Sequence, residues 1–194
     1  MKGYHYIKRG IDIILSGMAI VILSPLLLFL CIAIKLDTPG PILFKQKRVG
    51  IHRSFFQIYK FRTMRIDTPK DVPTHMLENP EQYITKVGKF LRKTSLDELP
   101  QIFNIFKGEM SIVGPRPALW NQDDLVAERE KYGANDVTPG LTGWAQINGR
   151  DELEIPDKAR LDGEYVKHLG PWMDLKCFLG TIGSVLMHDG VVEG

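Results

Sequence analysis

The sequence predicts a mixed α/β, helix-rich, membrane-associated domain, and three observations predict it. From Ile13 to Ile34 run 22 consecutive uncharged residues, nearly all apolar. Behind them Phe55–Thr63 alternates as a half-buried strand does, with Phe56, Ile58, Lys60 and Arg62 on one face and Phe55, Gln57, Tyr59 and Phe61 on the other. Apolar residues then recur at helical spacing: Ile84, Val87 and Leu91; Leu96, Leu99, Phe103 and Phe106; Leu175, Leu179, Ile182 and Leu186.

The N-terminal run is longer than the apolar region of a signal peptide, about 7–15 residues. No small-residue cleavage site follows it in Leu28-Phe29-Leu30-Cys31. As a helix rising about 1.5 Å per residue it reaches roughly 33 Å, enough to cross a hydrocarbon core of about 30 Å. Two features oppose a simple span. Ser24-Pro25 sits in the middle, where proline removes a backbone donor and bends or breaks a helix; the serine hydroxyl is placed to bond a carbonyl freed there. Both flanks are basic, with Lys2, Lys8 and Arg9 before the run, which favours both ends on the cytoplasmic side. On the residues alone, a spanning helix and a re-entrant hairpin both stand.

The formal net charge is only +2, but it is unevenly spread. Lys35, Lys45, Lys47, Arg48, Arg53, Lys60, Arg62 and Arg65 face a single acid, Asp37, over that stretch. A basic stretch beside a membrane segment suits anionic lipid headgroups or a phosphate-bearing substrate. Cys31 and Cys177 both lie in apolar segments, so a reducing, cytosolic setting is expected rather than a disulfide framework.

The remaining elements follow in order. Asp37-Thr38-Pro39-Gly40-Pro41 breaks the chain after the apolar run, and a strand is expected at Ile42–Val49 with a turn at Gly50. Asp67–Pro80, with three prolines, reads as a loop. Gly108 stops a helix, and Met110–Val113 is a short strand leading into Gly114-Pro115-Arg116-Pro117. A helix is expected at Leu119–Tyr132 and a strand at Leu141–Ile147, ended by Asn148-Gly149. Helices at Asp157–Leu169 and Trp172–Met187 complete the chain, the last one core-packed or interfacial.

Ser95-Leu96-Asp97-Glu98-Leu99-Pro100 admits two readings. Ser95 and Glu98 have the spacing of a capping box, with acids complementing a helix dipole. Alternatively Asp97, with Gln101 and Asn104 at i+4 and i+7, forms a polar stripe whose acid is kept ionised as a nucleophile or Mg²⁺ ligand. Arg116 lies between two prolines, so it is either a rigid phosphate clamp or a surface arginine in a tight turn. Lys60 and Arg62 share a strand face, Arg92 precedes the acidic pair, and Arg150 follows a glycine turn. Each alone reads as a solvated charge; together with an acidic metal ligand they suit a pyrophosphate. The five histidines lack zinc spacing, and no phosphate-loop, dinucleotide-fold or nucleophile-elbow pattern is present. No RNA-binding motif surrounds the aromatic strand, so no nucleic-acid partner is expected.

Over nearly its whole length the sequence resembles the small monotopic phosphoglycosyl transferases, the bacterial sugar transferases. The resemblance is carried by Ser24-Pro25, by Phe44-Lys45-Gln46-Lys47-Arg48-Val49-Gly50, and by Ile58-Tyr59-Lys60-Phe61-Arg62-Thr63-Met64. It continues through Thr94-Ser95-Leu96-Asp97-Glu98-Leu99-Pro100-Gln101, Gly108-Glu109-Met110-Ser111 and Val113-Gly114-Pro115-Arg116-Pro117. Pro139-Gly140-Leu141-Thr142-Gly143 and Ala145-Gln146-Ile147-Asn148-Gly149-Arg150 complete it. No one motif is specific; their order and spacing are.

The resemblance implies an N-terminal re-entrant helix–break–helix over residues 1–36, turning at Ser24 and Pro25, and a cytoplasmic catalytic domain over 37–194. It implies that Asp97 is nucleophile and Mg²⁺ ligand, with Glu98 its catalytic neighbour. Lys60, Arg92, Arg116 and Arg150 match positions expected at the phosphate or nucleotide site; Arg62 is added from the strand-face argument. The expected reaction moves a sugar 1-phosphate from a UDP-sugar to a polyprenyl phosphate such as undecaprenyl phosphate, releasing UMP. It takes place at the inner membrane among its phospholipids, as the first membrane step of a polysaccharide or glycoconjugate. The rival is a non-catalytic membrane-anchored scaffold, against which the intact Asp97-Glu98 pair argues. Neither the sugar nor the oligomeric state, a homo-oligomer included, is identified. Two departures stand out: Gly50-Ile51-His52-Arg53 lacks the second glycine common there, and Thr138 replaces a usual basic residue. Without the additional membrane helices of larger relatives, the minimal catalytic form is expected.

Overall fold

A computed structural model describes residues 2–68, 79–149 and 153–187. Helix α1 (Lys2–Asp37) is followed by strands β1 (Leu43–Val49) and β2 (Phe55–Phe61), then α2 (Lys86–Lys93) and α3 (Gln101–Lys107). After them come β3 (Ser111–Val113), α4 (Asp123–Glu130), β4 (Gly140–Thr142), α5 (Trp144–Ile147), α6 (Ile155–Lys167) and α7 (Pro171–Met187). The mixed α/β, helix-rich class is as expected.

Helix α1 is one element with Pro25 inside it, so the structure does not show the break expected at Ser24-Pro25. The local chemistry explains its continuity. Pro25 has no N–H to give the carbonyl of Val21, four residues earlier, and Ser24 Oγ donates to that same carbonyl at 2.8 Å. By length and composition α1 is able to cross a membrane.

Both ends of α1 are nevertheless bound to the one domain. Near the start, Arg9 donates to the carbonyls of Ile105 (2.6 Å) and Phe106 (2.8 Å), at the negative end of α3. Buried Asp12 accepts from the backbone N–H of Ile112 at 3.0 Å. Asp174 on α7 accepts from Tyr4 (2.8 Å) and Lys8 (2.6 Å). Near the end, Leu27, Leu30 and Ile34 enter a core with Phe61, Leu91 and Ile102. The opposite surface of α1 is apolar and exposed along its length, at Ile7, Ile14, Val21, Ile22, Leu28, Phe29 and Leu36.

Strands β1 and β2 pair antiparallel from Leu43–Phe61 to Val49–Phe55. The turn between them is a short 3₁₀ segment, Ile51–Arg53, in which His52 (φ 52°) and Arg53 (φ 59°) both adopt left-handed backbone. Glycine is therefore not required there. Asp136 and Glu130 hold the two side chains, at 3.0 Å and 2.6 Å.

Several expectations need correction. The helical spacing from Leu96 to Phe106 is not one helix: a 3₁₀ turn (Leu96–Glu98) and Pro100 precede α3. The face that α3 buries holds Gln101, Ile102, Asn104 and Ile105, while Phe103 and Phe106 are exposed. Asn104 is a lock rather than part of an open polar stripe: its Oδ1 accepts from Tyr59 N (3.0 Å), and its Nδ2 donates to Gln57 O (2.8 Å) and Glu109 (2.7 Å). The strand expected at Leu141–Ile147 stops at Thr142, and Trp144 opens α5 with its indole N–H on Glu164. In α7 the expected stripe of Leu175, Leu179 and Ile182 faces outward, while Met173 and Cys177 are buried. The exposed stripe fits an interfacial helix.

Arg62 also lies away from its expected place. It falls one residue beyond β2, is 5% exposed, and donates to the carbonyls of Thr38 (2.7 Å) and Pro39. It thereby ties the exit of α1 to the hairpin. We expect Arg62→Met to cost about 2–3 kcal/mol, because the partly buried carbonyls of Thr38 and Pro39 lose a charged donor. A midpoint of unfolding within about 1 °C of the unaltered protein contradicts this role.

Candidate active site

Ser95 starts the 3₁₀ turn that carries the acidic pair. Its backbone is left-handed (φ 55°), and its side chain makes no cap hydrogen bond. The capping-box reading therefore fails. Glu98 does not reach back to Ser95; its Oε1 accepts from Lys60 Nζ at 2.8 Å and from Arg116 Nη2 at 2.6 Å. Lys60 comes from β2, and Arg116 from the turn after β3, so three separate elements meet at one carboxylate oxygen.

That turn is held by close backbone packing. Gly114 N donates to Thr142 O and Gly140 N to Pro115 O. A Cβ on Gly140 would lie 2.1 Å from Gly114 N, so only glycine permits this approach. Pro115 and Pro117 are buried, and Arg116 emerges between them with its side chain 34% exposed. Behind the turn Arg48 of β1 donates to Pro117 O at 3.0 Å.

The two carboxylates differ in commitment. Burial alone pushes the Glu98 carboxyl up, but Arg116 and Lys60 outweigh it and hold Glu98 well below the usual range. Glu98 is thus a fixed anion. Asp97 has Lys60 Nζ only at 3.9 Å, beyond hydrogen-bond range. Burial raises its pKa, with Glu98 acting in the same direction, while Lys60 and Arg92 oppose the shift. A partly desolvated carboxylate beside cations but not neutralised by them is a competent nucleophile or metal ligand.

Of the expected residues, Asp97, Glu98, Lys60 and Arg116 therefore converge, and Arg92 sits close enough to act on Asp97. Arg62 is elsewhere, as described. Arg150 lies outside the described residues. Ser24 and Pro25 are exposed on α1. Asp12 and Asp174, which help fasten α1 to the domain, were not singled out from the sequence, and Arg9 was read only as part of a basic flank. The signal was a cation and an acid one helical turn apart at the edge of an apolar run, where ionic groups need partners.

A magnesium ion is bound through one or two carboxylates plus substrate phosphates rather than by an all-protein cage. Asp97 offers the hard oxygen donor that such an ion would take.

A family profile described as bacterial sugar transferase matches residues 3–188. The chain is 40% identical over 189 residues to a UDP-glucose:undecaprenyl-phosphate glucose-1-phosphate transferase of Escherichia coli K12, covering 91% of this chain and 39% of that protein. It is 40% identical over 185 residues to an undecaprenyl-phosphate glucose phosphotransferase of Komagataeibacter xylinus, covering 90% of this chain and 35% of that one. It is 38% identical over 187 residues to an uncharacterized sugar transferase, EpsL, of Bacillus subtilis, covering 96% of this chain and 91% of that protein. The chain thus spans well under half the length of the first two relatives and nearly all of the third.

Proposed function

This chain belongs to the bacterial sugar transferase family, and on that premise we propose that it transfers a sugar 1-phosphate from a UDP-sugar to a polyprenyl phosphate, with release of UMP. The observation that carries the reading is the division of labour between adjacent carboxylates: Glu98 is bonded to Lys60 and Arg116, leaving Asp97 beside them uncommitted.

In the first step an Asp97 carboxylate oxygen attacks the sugar-linked phosphorus. The bond from that phosphorus to the oxygen of the UMP phosphate breaks, and UMP leaves with the electron pair. In the second step an oxygen of polyprenyl phosphate attacks the resulting acyl phosphate and frees the Asp97 carboxylate. A soluble donor and a lipid acceptor are then handled one at a time. Lys60 and Arg116 orient the diphosphate and offset its charge. Glu98 positions these two cations. Asp97 is the residue that would hold a Mg²⁺ ion, which would supply further charge neutralisation.

The membrane arrangement belongs to the same proposal. The binding of both ends of α1 to one domain supports an N-terminus on the domain's side of the membrane, the topology that re-entry at Ser24-Pro25 would give. The exposed apolar surface of α1 and the outward stripe of α7 then face lipid, with the catalytic domain in the cytoplasm, where nucleotide sugars are found. Single cysteines at Lys2 and Asp67, in a background lacking Cys31 and Cys177, are expected to react alike with an impermeant reagent applied from either side. Labelling of Lys2→Cys from the periplasm alone contradicts re-entry.

The activity is tested by incubating the purified protein, in membranes with polyprenyl phosphate, against a panel of UDP-sugars. UMP release with at least one sugar is expected. No release with any sugar leaves the scaffold reading.

A further inference from the structure

We propose that Arg48 is a positioning residue of the site: it holds the Arg116 turn in place and adds a buried guanidinium charge to the anion pocket that takes the donor's diphosphate. This rests on the reading above and extends it to a residue outside the Asp97–Glu98–Lys60–Arg116 cluster.

Three observations point there. First, β1 and β2 place Arg48 on the catalytic face of the hairpin. Arg48 pairs with Phe56 and Phe44 with Lys60, and alternation puts Arg48 and Lys60 on the same side of the sheet. Second, Arg48 is the junction between the hairpin and the turn that carries Arg116. Its Nη1 donates to Pro117 O (3.0 Å), the residue directly after Arg116. Val49 N donates to Ala118 O (2.9 Å), and Arg48 forms an antiparallel bridge with Leu119. Gln46, two residues earlier, holds the other arm of the fork by accepting from Nη2 at 2.7 Å. Third, the guanidinium lies within electrostatic reach of the cluster. Burial pulls its pKa down to about 10, Arg116 acts in the same direction, and Glu98 opposes it.

Keeping this charge buried is unfavourable in the resting protein. It is desolvated, it lies beside another arginine, and its buried Nε makes no hydrogen bond. A salt-bridge partner would relieve all three, but among the described residues no ion pair includes Arg48. A bound anion supplies the missing charge. A doubly charged diphosphate held by Lys60 and Arg116 is an anion of that kind. A purely mechanical brace would need only a donor for Pro117 O, which a neutral side chain provides.

The test uses full-length protein in lipid nanodiscs and inorganic pyrophosphate as probe, with affinity measured by calorimetry. Arg48→Lys keeps a charge but cannot bond Gln46 and Pro117 O together, and we expect pyrophosphate to bind about threefold to tenfold more weakly. Arg48→Gln keeps a donor for Pro117 O and loses the charge, and we expect a loss beyond about tenfold. If Arg48→Gln lowers the melting temperature but leaves the pyrophosphate affinity of the folded protein unchanged, Arg48 is a brace only and the proposal is overturned. If that variant does not fold, Gln46→Ala, which loosens the fork and keeps the charge, is expected to weaken binding about twofold to fivefold; unchanged affinity overturns the proposal. Failure of the unaltered protein to bind pyrophosphate overturns it as well. UMP release from UDP-sugars reads the transferase assignment separately. Weakened pyrophosphate binding in the variants, with no UMP release by the unaltered protein, supports Arg48 at an anion site and rejects the transferase.

Discussion

Asp97→Asn is expected to reduce UMP release by roughly a thousandfold or more while leaving the fold intact, because the nucleophile of the proposed first step is gone. An amide is neither a nucleophile nor a good ligand for a hard cation. The structure makes this substitution a clean one. Asp97 makes only a long ion pair, with Lys60 Nζ at 3.9 Å, so the change removes reactivity at the cost of one weak contact. Initial-rate UMP release and thermal unfolding, measured on the same preparation, check both halves of the expectation. A variant that retains more than a tenth of the activity removes Asp97 from the role.

Glu98→Gln is expected to act differently, lowering both activity and stability. Glu98 is the single acceptor at which Lys60 and Arg116 meet. Without its charge, Lys60 has one carboxylate left in reach, that of Asp97. The lysine would then pair with the nucleophile and quench it, so we expect kcat to fall about a hundredfold. Two cations lose their compensating anion, at a cost of about 2–3 kcal/mol; the Arg116 side chain is a third exposed, which keeps the cost at the low end for a broken pair. The pH dependence has a definite sign. Glu98 is held below its ordinary pKa, so its contribution is fully present above that ordinary value and is lost as pH falls through the depressed one. The stability difference between the unaltered protein and Glu98→Gln should therefore begin to narrow as pH falls below the ordinary carboxyl value and close once it passes the depressed one. A difference that stays constant down to the depressed pKa and beyond contradicts the assignment of Glu98 as a fixed anion.

How far the sequence speaks depends on whether the information is local. The β1–β2 hairpin was legible almost to the residue, because alternation and a glycine turn are local and the strands pair with each other. The proline-fenced Arg116 and the acidic pair were legible as motifs, but not which acid is engaged; that is decided by Lys60 arriving from a distant strand. Arg62 was misplaced for the same kind of reason. Strand alternation gave its face, yet the strand ends at Phe61 and the guanidinium follows the carbonyls of Thr38 and Pro39. The expected apolar faces of α3 and α7 came out reversed, with Phe103, Phe106, Leu175 and Leu179 outside. Helical periodicity finds an apolar stripe but does not say whether protein or lipid covers it. Asn104 and Gln101 looked like a functional polar stripe because buried polar residues and site residues share one pattern. Asn104 is consumed by three backbone and side-chain bonds that no sequence spacing announces.

The most direct test of a phosphosugar carried on Asp97 is intact-protein mass spectrometry after incubation with the accepted UDP-sugar and Mg²⁺, with polyprenyl phosphate withheld. The proposed mechanism requires the protein to gain the mass of one sugar phosphate, on a peptide containing Asp97, with one equivalent of UMP released. Adding polyprenyl phosphate should then clear the adduct. If no adduct forms, and UMP appears only when donor and acceptor are present together, the sugar phosphate passes directly between substrates and the covalent role of Asp97 is wrong.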